Sequence, residues 1–214
     1  MCSDKKVVVT KAISRYSMSF TSGALLRHES ITVAELFNDL ADWSGVRDRT
    51  IAENRLQMRT RNASQRICRE VISRLKQLTP AQLEVVLDGS HQEQDYTLWL
   101  GVCKRYRFLY DFAAEVIREK YLRLDLALAP EEYDIFFNRK AEWRPEVEAV
   151  APATRNKQRQ LLFKMLREAE LLSSTRRIIP ALLPPRLIAA IRNDDPAHFA
   201  VFPVSEMEIK RWTQ

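Results

Sequence analysis

Apolar residues along this chain recur mostly at helical spacing, and runs that read as strands occur only near its two ends. Val33, Leu36, Phe37 and Leu40 share one helical face behind the capping-box pair Thr32 and Glu35, and Gly45 is placed to stop that helix. Thr50 and Glu53 repeat the capping spacing and predict a second short helix, whose start could lie as early as Val46. From Asn62 the positions Ile67, Cys68, Val71, Ile72, Leu75 and Leu78 trace a regular stripe, the cleanest in the first half. Thr79, Pro80 and Gln82 open the next helix and Gly89 ends it. Residues 93–124 then read as a long helical stretch with a break near Gly101 or Tyr106.

Pro130 opens a helix that runs to about Trp143, and the prolines at 145 and 152 make 144–153 a candidate domain boundary. Beyond it, Leu161, Leu162, Met165, Leu166 and Ala169 form an inward stripe. A β-like run at Arg176–Ile179, a helix opened by Pro185 and a second strand at His198–Val204 follow. Val7–Val9 could form a short β segment in an otherwise irregular lead-in. The pattern predicts a mainly α chain of three units. These are a helix-turn-helix-like unit at 1–80, a central helical region at 81–150 and a winged-helix-like α/β unit at 151–214. In that last unit the two strands would pair as a small wing, confined to edges by Pro180 and Pro203.

Composition supports the helical reading, since the 214 residues include only four glycines. Three widely spaced cysteines, Cys2, Cys68 and Cys103, fit reduced thiols in a cytoplasm better than a disulfide framework or metal site. Lys5, Lys6, Lys11 and Arg15 interrupt the early apolar stretches, against a signal peptide. The most apolar segment, Ile178–Ile191, is cut by Pro180, Pro184, Pro185 and Arg186, against a membrane span.

Charge changes the picture most. Arg47–Lys76 contains nine of the 34 basic side chains and three of the 28 acidic ones, so the net charge of +6 resides in that window. The third helix places Asn62, Arg66, Arg69, Ser73 and Lys76 on the face opposite its apolar stripe. Arg59, Thr60 and Arg61 stand at its start, where free backbone N–H groups also attract phosphate. Arginine outnumbers lysine eight to one in the window, and guanidinium suits phosphates and base edges. Candidate phosphate contacts are Arg59, Arg61, Arg66, Arg69 and Lys76, with Asn62 and Gln65 able to reach bases. Arg155, Arg159, Arg176 and Arg177 form a second candidate surface in the C-terminal unit. A basic helix face also serves as a solvated surface, and that alternative stays open. Lys104, Arg105 and Arg107 form a smaller cluster that Asp111, Glu115 and Glu119 would balance, and the aromatics from Tyr96 to Tyr121 read as core.

Catalytic chemistry finds little material. His28, His91 and His198 lack ligand-spaced neighbours, and no P-loop, G-x-G-x-x-G or G-x-S-x-G occurs. The acidic pairs Glu131–Glu132 and Asp194–Asp195 stand at helix starts or turns. No enzyme activity, cofactor or metal is expected.

Four blocks carry a family resemblance: Ser17–Glu29 (SMSFTSGALLRHE), Glu53–Leu78 with its Asn-x-Leu-Gln-x-Arg-Thr core, Arg105–Tyr121 (RYRFLYDFAAEVIREKY) and Thr154–Leu172 (TRNKQRQLLFKMLREAELL). In order and over nearly the whole chain they resemble the BrxA family of bacteriophage exclusion (BREX) defence systems. The resemblance implies a small, helical, non-enzymatic DNA-binding component of a phage-defence island. It also implies winged-helix-type units and some likeness to RNA-binding antitermination factors. Double-stranded DNA is the leading partner. The alternatives are RNA binding, or an assembly module that uses its basic face on other BREX proteins.

Overall fold

The computed structural model describes residues 15–214, so Val7–Val9, Cys2 and the lysines of the lead-in lie outside the described residues. Helix α1 (Arg27–Leu40) begins earlier than its capping-box signal suggests. Thr32 lies inside it, with its hydroxyl donating to the His28 carbonyl at 3.1 Å. The turn into α1 is made by Leu26 in the left-handed region (φ 60°), and the exit by Ala41 (φ 50°), not by Gly45. Gly45 belongs to the first turn of α2 (Trp43–Ala52), where the Asp42 carboxylate accepts from the N–H groups of Ser44 and Gly45 at 3.1 and 2.7 Å. Thr50 is likewise interior, buried and bonded to the Val46 carbonyl at 2.7 Å. In both false caps the hydroxyl bonds back into its own helix instead of to a free N–H.

The stripe of the third helix holds as expected. α3 (Arg61–Leu75) buries Ile67, Cys68, Val71, Ile72 and Leu75 against α1, α2 and later α5. α4 (Pro80–Asp88) starts at the Thr79–Gln82 capping box and stops before Gly89. Of the two expected break points in the long stretch, the chain uses Tyr106 (φ −120°, ψ 91°). This residue separates α5 (His91–Arg105) from α6 (Arg107–Phe112). Gly101 instead lets α5 approach the end of α3, since a Cβ there would stand 3.3 Å from Leu78 Cδ2. From Ala113 to Arg118 the helix widens into a π turn, then continues as α7 (Glu119–Leu122). The turn leaves Arg118 nearly buried, with its guanidinium 2.5 Å from Glu206.

α8 (Pro130–Ala141), the single turn α9 (Pro145–Glu148) and α10 (Pro152–Glu168) each open on proline, with only the carbonyl of that residue needed. α11 (Pro185–Arg192) and α12 (Glu206–Thr213) complete the order. The expected wing is absent among the described residues. Its second strand is instead a 3₁₀ helix, Pro196–Val201, because Asp195 caps it by accepting from the Ala197 N–H at 2.9 Å. Pro203 offers only a carbonyl, taken by the Ala181 N–H at 3.1 Å. The Arg176–Ile179 run pairs elsewhere, through antiparallel bridges Ala127 to Arg177 and Leu172 to Ile178.

One hydrophobic core joins residues of all three expected units, from Tyr16 through Leu75 and Phe108 to Trp212. Phe108 is its hub, with the rings of Tyr16, Phe20, Tyr133, Phe136 and Phe137 at 5.1–6.0 Å. Long-range polar bonds cross it. Trp99 Nε1 donates to the Val201 carbonyl at 3.0 Å, and Gln158 Nε2 to the Met18 carbonyl at 2.6 Å. Val147, inside the expected boundary 144–153, is fully buried in this core. No helix among the described residues is long and apolar enough to cross a membrane.

Candidate nucleic-acid interface

The geometry of α2 and α3 is set from the turn between them. Asn54 stands at φ 46°, a region asparagine tolerates, and its side chain bonds both the N–H and the carbonyl of Met58, at 3.1 and 3.2 Å. Leu56 is buried beneath that loop. Thr60 then caps α3, its hydroxyl accepting from the Ala63 N–H at 3.2 Å. Thr60→Ala is expected to cost about 1 kcal/mol and to fray the first turn of α3, read as a lower urea midpoint at unchanged m-value.

A second, buried anchor fixes the far end of α3. Arg74 donates from Nε to Glu70 at 2.7 Å, and from its other two nitrogens to the carbonyls of Ala24 at 2.6 Å and Ser22 at 3.4 Å. The Tyr106 hydroxyl donates to the same Glu70 oxygen at 2.7 Å. Burial, with the Glu70 carboxylate beside it, pushes the Tyr106 hydroxyl up to about 12, so the proton stays in that bond. The lead-in chain, α3 and the α5–α6 break are thus tied at one point.

With its apolar face committed inward, α3 exposes Arg61, Asn62, Gln65, Arg66, Arg69 and Lys76. A groove of about 780 Å³ runs between α2 and α3, lined by Trp43, Arg47, Arg61, Gln65, Arg69 and Lys76 among others. Arg59, Asn62 and Arg66 are exposed but do not line it. Four cations of the basic window are used internally: Arg47 with Asp48 at 2.9 Å, Arg49 and Arg55 with Glu53 at 2.9 and 3.6 Å, and Arg74 with Glu70. Among the described residues no carboxylate lies within ion-pairing distance of Arg59, Arg61, Arg66, Arg69 or Lys76. Those five are the cations expected from the sequence to contact phosphate. The expectation omitted Trp43 and Arg47, which share a face of α2 at four-residue spacing. Trp43 stacks on Phe37 with centroids 3.8 Å apart, and Lys76 Nζ lies 5.9 Å from its ring.

The second expected surface is divided. Arg155 and Arg159 of α10 both bind Asp134 of α8. Arg155 also bonds the Asn138 side chain at 2.9 Å and lies 4.4 Å from the centre of the Phe137 ring. Their guanidinium groups join two helices. Arg176 and Arg177 are exposed on the turn 173–177, with Arg176 left-handed at φ 61°. The smaller basic cluster is balanced in part as expected, by Arg107 with Asp111 at 2.8 Å, while Lys104 reaches Asp194 at 2.8 Å. No group of three or more metal-ligating side chains occurs among the described residues. Cys68 and Cys103 are buried free thiols, and burial pushes both up, away from reactivity.

Known proteins match this fold and sequence. A crystal structure of an uncharacterized protein from Magnetospirillum magneticum superposes with a TM-score of 0.78 over 89% of this chain and 100% of that one, at 22% identity. BREX protein BrxA of Bacillus cereus (strain H3081.97) is 26% identical over 154 residues, 72% of this chain and 77% of that protein. BREX protein BrxA of Escherichia coli O9:H4 (strain HS) is 24% identical over 155 residues, 72% of this chain and 73% of that protein. The family model BrxA spans residues 14–195, and the chain therefore belongs to the BrxA family.

Proposed function

We propose that this chain is a non-enzymatic, cytoplasmic component of a BREX phage-defence system that binds double-stranded DNA through the exposed face of α3. The α2–α3 pair would act as a helix-turn-helix-like unit, with Arg176 and Arg177 adding a second basic contact. The observation that carries this reading is the set of five cations, Arg59, Arg61, Arg66, Arg69 and Lys76, left without carboxylate partners on one helix. Uncompensated charge on a rigid helix is an electrostatic footprint for a polyanion. Asn62 and Arg66 are exposed where base edges could be reached, and the groove residues where phosphates could be held.

The test is titration against a labelled duplex at several salt concentrations, with an Arg66→Ala/Arg69→Ala variant beside the wild type. Binding should be steeply salt-dependent, and the variant should lose roughly 0.9 unit of slope per phosphate contact removed. An unchanged slope would take these residues out of the interface. Stronger competition by structured RNA than by duplex DNA of equal length would transfer the surface to RNA.

A second reading, assembly with other BREX proteins, has its own observation. Trp143 and Ile135 are 81% and 63% exposed near the end and on the outer side of α8, where aromatic and aliphatic side chains serve as interface anchors. Capture of another BREX protein after nuclease treatment, lost in Trp143→Ala, supports it.

A further inference from the structure

The end of α7 holds a leucine that the fold does not explain. Leu124 closes the helix in the left-handed region at φ 58°, its N–H donating to the Tyr121 carbonyl at 3.0 Å, while the Asp125 N–H reaches Lys120 at 3.0 Å. Glycine or asparagine suits that position, because a Cβ there crowds the backbone. Leu26 has the same strain, but its side chain packs against the core. The side chain of Leu124 is 82% exposed and adds nothing to the core. Strain kept without packing points to a role at the surface.

A second tight turn is fixed beside the first. The Leu128 N–H donates to the Arg176 carbonyl at 2.9 Å, the Ile178 N–H to Leu126 at 2.8 Å, and Ala127 bridges Arg177. Leu128 and Ile178 are buried under this double turn, so its tip is held by both hydrogen bonds and core. Around Leu124 the tip presents Arg123, Arg176 and Arg177. Arg123 has only a 3.6 Å contact with Glu119, and among the described residues no carboxylate pairs with Arg176 or Arg177. Asp125 is neutralised by Lys120 at 2.5 Å. A single apolar side chain among three guanidinium groups fits a ligand with anionic edges and a flat apolar interior. Duplex DNA offers both, as phosphates flanking a groove and the stacked base step within it.

We propose that the double turn is a second contact to duplex DNA, with Arg123, Arg176 and Arg177 on phosphates and Leu124 wedged against a base step so that the duplex bends. The proposal rests on duplex DNA being the partner, and it is independent of α3 as the site of main affinity.

The experiment compares wild type, Leu124→Gly, Arg176→Ala/Arg177→Ala and Arg66→Ala/Arg69→Ala on a duplex carrying a dye at each end. Energy transfer reports bending, and thermal unfolding is followed in parallel. Wild type should bend the duplex by an angle in the range of roughly 20–90° typical of apolar wedges. Leu124→Gly should melt no lower than wild type, because glycine relieves the left-handed strain, yet lose the bend. Arg176→Ala/Arg177→Ala should lose roughly two units of salt slope. Equal bending by wild type and Leu124→Gly, or no bend in wild type, overturns the wedge. If turn variants bind and bend normally while the α3 variant weakens, the double turn falls and the α3 surface stands. If only the turn variants weaken, α3 falls and the double turn stands. Leu124-dependent binding to vesicles of anionic phospholipid, with DNA bending indifferent to Leu124, overturns the proposal in favour of a lipid surface.

Discussion

Replacing Arg59, Arg61, Arg66, Arg69 and Lys76 together by glutamine is expected to weaken duplex binding at physiological salt on the order of a thousandfold, with the fold intact. Each phosphate contact contributes roughly 0.9 unit to the slope of log K against log salt, so losing five removes roughly four units. The fold should survive because all five are exposed and none has a carboxylate partner among the described residues, so no buried partner is orphaned. Exposed substitutions of this kind usually change stability by about 0.5 kcal/mol or less each. A variant that unfolds at the wild-type temperature but binds duplex with undiminished affinity would remove α3 from the interface.

Glu70→Ala is expected to have the largest effect on stability, about 3–5 kcal/mol. It leaves the Arg74 guanidinium buried with two carbonyls and no counter-charge, and strips the Tyr106 hydroxyl of its acceptor. In a chain of this size that corresponds to a fall in Tm of roughly 10 °C. Glu70→Leu combined with Arg74→Met should recover much of the loss, because it removes both charges where the single change strands one. Equal destabilisation by the single and double variants would show that the network acts through packing alone. Loss of this anchor should also loosen the lead-in chain at Ser22 and Ala24, seen as faster amide exchange there.

Much of the helical order was legible because proline and capping chemistry mark helix starts locally. Thr79 with Gln82, Pro130 and Pro185 did so, and α3 showed its apolar stripe directly. The misplaced start of α1 has a physical reason. Its entry is set by a left-handed leucine and no side-chain cap, so the nearest cap-like pair, Thr32 and Glu35, lies inside the helix. The expected wing failed on one residue: Asp195 turns an apolar run that reads as strand into a 3₁₀ helix. In the candidate site, the α3 cations were legible because their environment is solvent and their own helix. Arg155 and Arg159 were not, because Asp134, the carboxylate that binds them, lies 21 and 25 residues away and only the packing of α10 on α8 brings it near. Leu124 drew no notice in the sequence, since one leucine after a helix is ordinary until its φ and exposure are known.

The π turn at Ala113–Arg118 fixes the aim of everything downstream on its helix. One residue of α-helix turns the chain by about 100°. Deleting a residue here would let the helix close into ordinary α register, and would swing Arg118 out of line with Glu206. It would also rotate Arg123 and Leu124 by the same angle and pull Leu128 away from the Arg176 carbonyl. A one-residue gap in this segment would thus act as a rotational mutation. Each side chain of the tip would be unchanged in chemistry, and the tip itself would face another direction.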